Sequence, residues 1–143
     1  MSVQDVHAGL CILKESPEAS LWSEKSLAES AAQGRSWVAE CDRVVKGILI
    51  GRVAADEFEI LNLAVALDAR RQAIATLLVH AAMEHARAAG AVRTYLEVRA
   101  SNHGAIAFYE QVGFVACGRR PHYYRHPTED AILLRWNQTE IVP

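Results

Sequence analysis

The sequence predicts an α/β (α+β) domain, with helices on both faces of a mixed, largely antiparallel sheet of about seven strands whose centre holds one parallel pair. Three observations carry that expectation. Between residues 57 and 98 the hydrophobic pattern passes from strand to helix and back to strand, and such a crossover within one sheet is parallel and right-handed. Turn signals on either side mark hairpins, which make the remaining pairs antiparallel. The 143 residues, 51% hydrophobic and 22% charged, suit one globular domain, residues 1–143, able to bury a core.

The elements follow in order. Val6 to Leu13 carry apolar residues at helical spacing, and Ser16-Pro17-Glu18 interrupts them. Ser23 is the expected N-cap of a short helix running to about Gly34. Trp37 to Glu40 and Val44 to Val53 read as strands joined through Cys41-Asp42-Arg43, and Gly47 and Gly51 mark a bulge or a close backbone approach. Glu57 to Leu67 is the next strand, its run Ile60 to Val65 apolar enough for burial on both faces. From about Arg71 the period becomes helical, with Ile74, Leu77, Leu78, Ala81, Ala82 and His85 as the core stripe and Gly90 as the stop. Val92 to Val98 is a strand; Ser101 or Asn102 caps a helix with core face Ile106, Tyr109 and Val112, closed by Gly113. Phe114 to Cys117 and Ala131 to Trp136 are the last strands, bracketing an excursion rich in Arg, His and Tyr. A first strand is short or missing, and 137–143 reads as a loose polar tail.

Composition narrows the function classes. A net charge of −2 is unlike the strongly basic footprint of a duplex-binding protein. Three cysteines without a C-x-x-C pair indicate neither a disulfide framework nor a zinc site, and the spacing of the six histidines forms no metal set. No apolar run approaches the ~20 residues that span a bilayer. A cytoplasmic protein without a metal is the expectation.

Three constellations bear chemistry. Arg70-Arg71-Gln72-Ala73-Ile74-Ala75-Thr76 lies where a strand gives way to a helix. Unpaired N–H groups there and two arginines suit a phosphate, although an arginine-rich helix start that binds nothing has the same pattern. Glu97 projects from an apolar strand. It is either a general base or an acid paired with Arg93, Arg99 or another surface group. Tyr109 shares a helical stripe with Ile106 and Val112, which fits a core tyrosine or an acid that protonates a leaving thiolate. The segment from Arg119 to Arg125, with Tyr123 and Tyr124, reads as a solvated hairpin or as one wall of a substrate groove.

Together these segments resemble the GNAT superfamily of N-acetyltransferases, and within it the bacterial RimI type that acts on ribosomal-protein alanine. The resemblance runs from about Asp5 to Trp136. It rests on Trp22-Ser23-Glu24-Lys25, Asn62-Leu63-Ala64-Val65, Leu96-Glu97-Val98-Arg99-Ala100-Ser101-Asn102, Phe108-Tyr109-Glu110 with Gly113-Phe114, and Tyr123-Tyr124 before Glu129-Asp130-Ala131. It implies acetyl-CoA as cosubstrate, lying where the strand of Leu63, Ala64 and Val65 splays from that of Glu97. Arg70 to Thr76 and Asn102 would hold the cofactor, Glu97 would be general base and Tyr109 general acid, and Tyr123 and Tyr124 would touch the acceptor. The implied acceptor is a protein or peptide N-terminus, a ribosomal protein among them, with no nucleic-acid or membrane partner. Two rival expectations stand beside it: acetylation of a small-molecule amine, or a non-catalytic acyl-CoA-binding module. The chain departs from the family pattern at Ala73, where a glycine is usual, at Leu21, where proline precedes Trp22, and at Pro121, where a second arginine is common.

Overall fold

The structure, a computed structural model, describes residues 5–15, 23–33, 35–70, 73–124 and 128–137. Ten elements follow in order: α1 (Asp5–Lys14), α2 (Glu24–Ala32), β1 (Ser36–Cys41), β2 (Val44–Ala54), β3 (Glu57–Val65), α3 (Ile74–Ala88), β4 (Arg93–Arg99), α4 (His103–Val112), β5 (Val115–Tyr124) and β6 (Glu129–Asn137). A short 3-10 turn, Leu67–Ala69, follows β3. The strands form one sheet in the order β1-β2-β3-β4-β6-β5. Among the described strands only β3 and β4 pair in parallel, as the crossover through α3 requires.

Six strands are described where about seven were expected; residues 1–4 lie outside the described residues, and Asp5 opens α1. The tail 138–143 also lies outside them, while Asn137 belongs to β6. The helix caps follow the sequence. Ser23 Oγ accepts from Ser26 N–H at 3.0 Å, and Ser23 N–H donates to Ser26 Oγ at 3.1 Å. Gly90 and Gly113 both take positive φ at the ends of α3 and α4.

The core sits on both sides of β2. Ile48, Leu49 and Ile50 are consecutive and wholly buried, and successive strand residues face opposite ways. Both faces of β2 are therefore covered, and the helices packed on it are α1 and α3. Gly47 and Gly51 are the close approaches the sequence marked. A Cβ on Gly47 would lie 2.9 Å from Ile74 and Leu78 of α3, and one on Gly51 would lie 2.3 Å from the Phe58 ring. A methyl at 51 would have to displace a rigid ring that Trp37 already holds edge-on. Gly51→Ala is expected to cost about 1–3 kcal/mol, read as a lower urea midpoint with the denaturant slope unchanged.

Three expectations need correction. The buried stripe of α3 is Ile74, Leu78, Val79, Ala82, Met83 and Ala86, whereas Leu77 is 65% exposed and Ala81 and His85 face solvent. Small alanines on several sides of the helix leave its rotation unphased by sequence. In β3, residues at even positions are buried and those at odd positions only partly so, because the far part of the strand borders an opening. The excursion after Cys117 is β5 itself, which runs on to Tyr124 with register shifts at 116–118 and 120–124; residues 125–127 lie outside the described residues.

Candidate active site

β3 and β4 pair only from Glu57 opposite Arg93 to Ile60 opposite Leu96. Beyond that point β3 continues against β2, and β4 continues against β6 as far as Arg99. The cause is local. Ile50 pairs Asn62 and Gly51 pairs Ile60, so Leu61 is an extra residue without a partner of its own. An extra residue bends a strand and increases its twist. The bend carries Leu61 to Val65 away from Glu97 and leaves backbone N–H and C=O groups of β3 facing a gap. The gap is a cleft of about 550 Å³ lined by residues 60–65, the start of α3, Leu96, Glu97, Asn102 and the inner side of α4.

One end of the cleft is the N-terminus of α3. Ile74, Ala75 and Thr76 line it, their N–H groups lie in the first helical turn, and no acidic residue there offsets the helix dipole. Such an end accepts an anion. Ala73 precedes it in the left-handed region, φ 62 and ψ 14. An alanine there carries strain of about 1–2 kcal/mol that a glycine would lack. Ala73→Gly is accordingly expected to raise stability by about 1 kcal/mol, measured as a higher urea midpoint. Arg70 lines the same cleft, and its Nε donates to the Val65 carbonyl at 3.3 Å, so it braces the cleft wall. Arg71 and Gln72 lie outside the described residues. Asn102 caps α4, its Oδ1 accepting from Ala105 N–H at 3.1 Å, which fixes the amide at the cleft's edge.

At the other end stands Glu97, its side chain 8% exposed. The sequence left its partner open among Arg93, Arg99 and another group. Arg93 pairs Glu57 and Arg99 pairs Glu129. The partner is Arg120, whose Nε lies 3.1 Å from Glu97 Oε1 after reaching across β6 from β5. Glu97 Oε2 is buried with no hydrogen-bond partner. Tyr123 and Tyr124 meet edge to face at 5.1 Å. Burial first, then the Glu97 charge, pushes the Tyr123 phenol up and that of Tyr124 up to about 12. Both tyrosines therefore border the carboxylate, with the Arg120 guanidinium 5.4 Å from the Tyr123 ring and that of Arg99 4.4 Å from the Tyr124 ring.

Tyr109 lines the cleft and is 6% exposed. Phe108 and Phe114 hold its ring edge-on at 5.0 and 5.4 Å. Burial drives its phenol far above the ordinary value, so it remains a protonated O–H donor across the neutral range. The cleft thus unites a helix N-terminus, a strand edge that no neighbouring strand covers, a carboxylate and a buried phenol. Sequence reasoning named these groups but missed Arg120 as the partner of Glu97, and Ala105 and Phe108 as lining residues. Among the described residues no group of three His, Cys, Asp or Glu side chains forms a metal set, and no helix is long and apolar enough to cross a membrane.

The chain belongs to the acetyltransferase (GNAT) family, whose pattern matches residues 8–114, and it is an N-acetyltransferase. Its relatives are specific. It is 35% identical over 120 residues to a ribosomal protein bS18-alanine N-acetyltransferase of Salmonella typhimurium, covering 79% of this chain and 78% of that one. The crystal structure of the ribosomal-protein-S18-alanine N-acetyltransferase from Escherichia coli superposes with a TM-score of 0.85 at 29% identity, covering 99% and 93% of the two chains. Ard1 from Thermoplasma volcanium shares the fold with a TM-score of 0.88 at 24% identity, over 98% and 95%.

Proposed function

We propose that this enzyme moves an acetyl group from acetyl-CoA to the α-amino group of a protein or peptide, a ribosomal protein among its acceptors. The observation that carries the proposal is the parting of β3 from β4 after Ile60 and Leu96, with Glu97 beside the gap. The residues present suit the cosubstrate. The edge of Leu63, Ala64 and Val65 that no strand covers would pair with the amides of a pantetheine arm, as an added strand pairs, although the Val65 carbonyl already accepts from Arg70. The N-terminus of α3, with Arg70, Ala73, Ile74, Ala75 and Thr76, would hold the pyrophosphate; Arg71 and Gln72 are assigned to it by sequence alone. Asn102 would help to fix the cofactor at the α4 end.

Acetyl-CoA supplies an activated acyl group on a thiol leaving group. Glu97 takes the proton from the acceptor amine as it attacks the acyl carbon, and the Tyr109 hydroxyl gives its proton to the departing sulfur. Tyr123 and Tyr124 flank the acceptor beside Glu97. An α-amino group of pKa ~7.8 is roughly 10–15% neutral at pH 7, whereas lysine at ~10.4 is below about 0.1% neutral. Reaching the neutral amine is thus about 3.5 kcal/mol harder for lysine, which favours the chain terminus. The names of the relatives, which act on the alanine of ribosomal protein bS18, support the same acceptor class.

The test is thiol release with acetyl-CoA and three peptides: free N-terminus, blocked N-terminus with a free lysine, and both blocked. Release and a mass gain of one acetyl group on the first peptide alone is the expected outcome. Release with small amines but no peptide would move the assignment to a small-molecule acceptor. Calorimetric acetyl-CoA binding without turnover on any amine would overturn the catalytic assignment.

A further inference from the structure

Arg120 occupies the carboxylate that the acceptor would have to reach. Its guanidinium holds Glu97 Oε1, and Glu97 is the proposed base. The two ends of this ion pair have unequal freedom. The Arg120 side chain is 58% exposed and that of Glu97 is 8% exposed. Arg120 can return to water at little cost, but a buried carboxylate left without a partner is strongly unfavourable. Arg120 therefore leaves readily only in exchange for another cation.

The vacancy it would leave suits an ammonium. One carboxylate oxygen already faces a cation, and the second, Oε2, is buried with no hydrogen-bond partner in good geometry, the Tyr123 hydroxyl being a donor beside the same carboxylate. A buried unpaired acceptor atom is rare, and an ammonium brings three donors where this Arg120 contact supplies one. The Tyr123 ring that lies by the guanidinium presents its π-face to whatever cation stands there.

The strand carrying Arg120 becomes irregular directly beyond it. β5 pairs β6 at Arg120 opposite Ala131 and resumes only at Tyr124 opposite Glu129. Between them His122 takes φ 54. Asp130 anchors this irregular stretch from the other side, accepting from Arg119 Nε at 2.6 Å and from His122 N–H at 3.0 Å. The backbone is held through Arg119 and His122, so the Arg120 side chain swings without unpicking the hairpin.

From these contacts we infer that Arg120 is a seat-holding residue: in the resting enzyme it occupies the position of the acceptor's ammonium on Glu97, and the acceptor binds by displacing it. The inference rests on the functional reading above and adds a built-in competitor to it. Its consequence is a weaker apparent acceptor affinity in exchange for a carboxylate that keeps a partner between turnovers. Two protons leave that nitrogen between ammonium and amide: Glu97 takes the first and passes it to solvent, which frees the neutral amine, and takes the second as the amine attacks. The acetylated product carries no charge there, so Arg120 re-forms the ion pair once Glu97 has given up that second proton.

The experiment is initial-rate kinetics of the intact wild-type chain and Arg120→Gln on an alanine-led tetrapeptide with no acidic residue, each repeated with methylguanidinium. The variant's peptide KM is expected to fall about fivefold, the worth of one half-exposed ion pair. Methylguanidinium should raise the variant's KM back toward that of wild type by competing for the vacated seat. Calorimetry is expected to give the same acetyl-CoA dissociation constant for both proteins, which separates the effect from a disturbed cofactor site. A peptide KM that is unchanged or higher in Arg120→Gln overturns the inference, because Arg120 would then be a spectator or an acceptor-binding group. A lower KM that methylguanidinium does not restore also overturns it and assigns the change to the shape of the hairpin. If wild type turns over no peptide at all, the functional reading itself fails and this inference falls with it.

Discussion

Glu97→Gln is expected to lower turnover by about 100-fold or more while acetyl-CoA affinity stays within about twofold of wild type. The substitution keeps the volume and one hydrogen-bond acceptor but removes the basic oxygen. Glu97 adjoins the last paired position of β3 and β4, Ile60 opposite Leu96, whereas α3 begins beyond the far end of β3, so the amide should not reach the phosphates. Nor should the fold suffer. Arg120, the lost ion-pair partner, is more than half exposed, and a neutral amide is cheaper to bury than an unpaired carboxylate oxygen. Stopped-flow or steady-state thiol release, paired with calorimetry, separates the two quantities. Wild-type turnover in Glu97→Gln would remove the base from the mechanism.

Tyr109→Phe should lower kcat by about 10- to 100-fold, less than the Glu97 change. A thiol of ordinary pKa ~8.5 leaves tolerably well as thiolate, so the proton from Tyr109 assists a departure that can proceed slowly without it. The replacement deletes one oxygen and keeps the ring against Phe108 and Phe114, so the packing that holds α4 is retained. The pH dependence is distinctive. Burial raises the Tyr109 phenol above its ordinary value near 10, so the acid stays protonated and should impose no loss of rate below about pH 10. The linkage runs the same way for stability. The contribution of Tyr109 is fully present below the unfolded value near 10 and is lost as pH climbs toward the folded one. A wild-type kcat that declines between pH 7 and 9, with a decline absent from Tyr109→Phe, would contradict burial of a neutral phenol.

Much of this site is legible from residue order. A strand, a helix start free of acidic residues, and a second strand bearing one carboxylate are visible in Leu61 to Val98, and Asn102 and Gly113 bound α4 as capping chemistry requires. Gly47 and Gly51 read as a bulge or a close approach without saying to what; the neighbours are α3 and Phe58, and the register shifts at Gly51. The decisive geometry was less visible. The extra residue at Leu61 lies in a largely apolar run with no glycine or proline of its own; the only mark of it is Gly51 on the facing strand, where the register shifts. The reach of Arg120 to Glu97 depends on the register of β5 against β6, which shifts twice and follows from no local pattern. Pro121 and His122 in mid-strand hide the continuation of β5 as well. At Ala73 the sequence posed a question of backbone conformation that only its positive φ answers.

The most direct test of the central claim is a crystal structure of the enzyme with acetyl-CoA bound. The expected result places the pantetheine amides on the free edge of Leu63 to Val65, the pyrophosphate at the start of α3, and the sulfur about 3 Å from the Tyr109 hydroxyl. Strands β3 and β4 hydrogen-bonded past Ile60 and Leu96 in that crystal, or a cofactor seated outside the opening between them, would contradict the account.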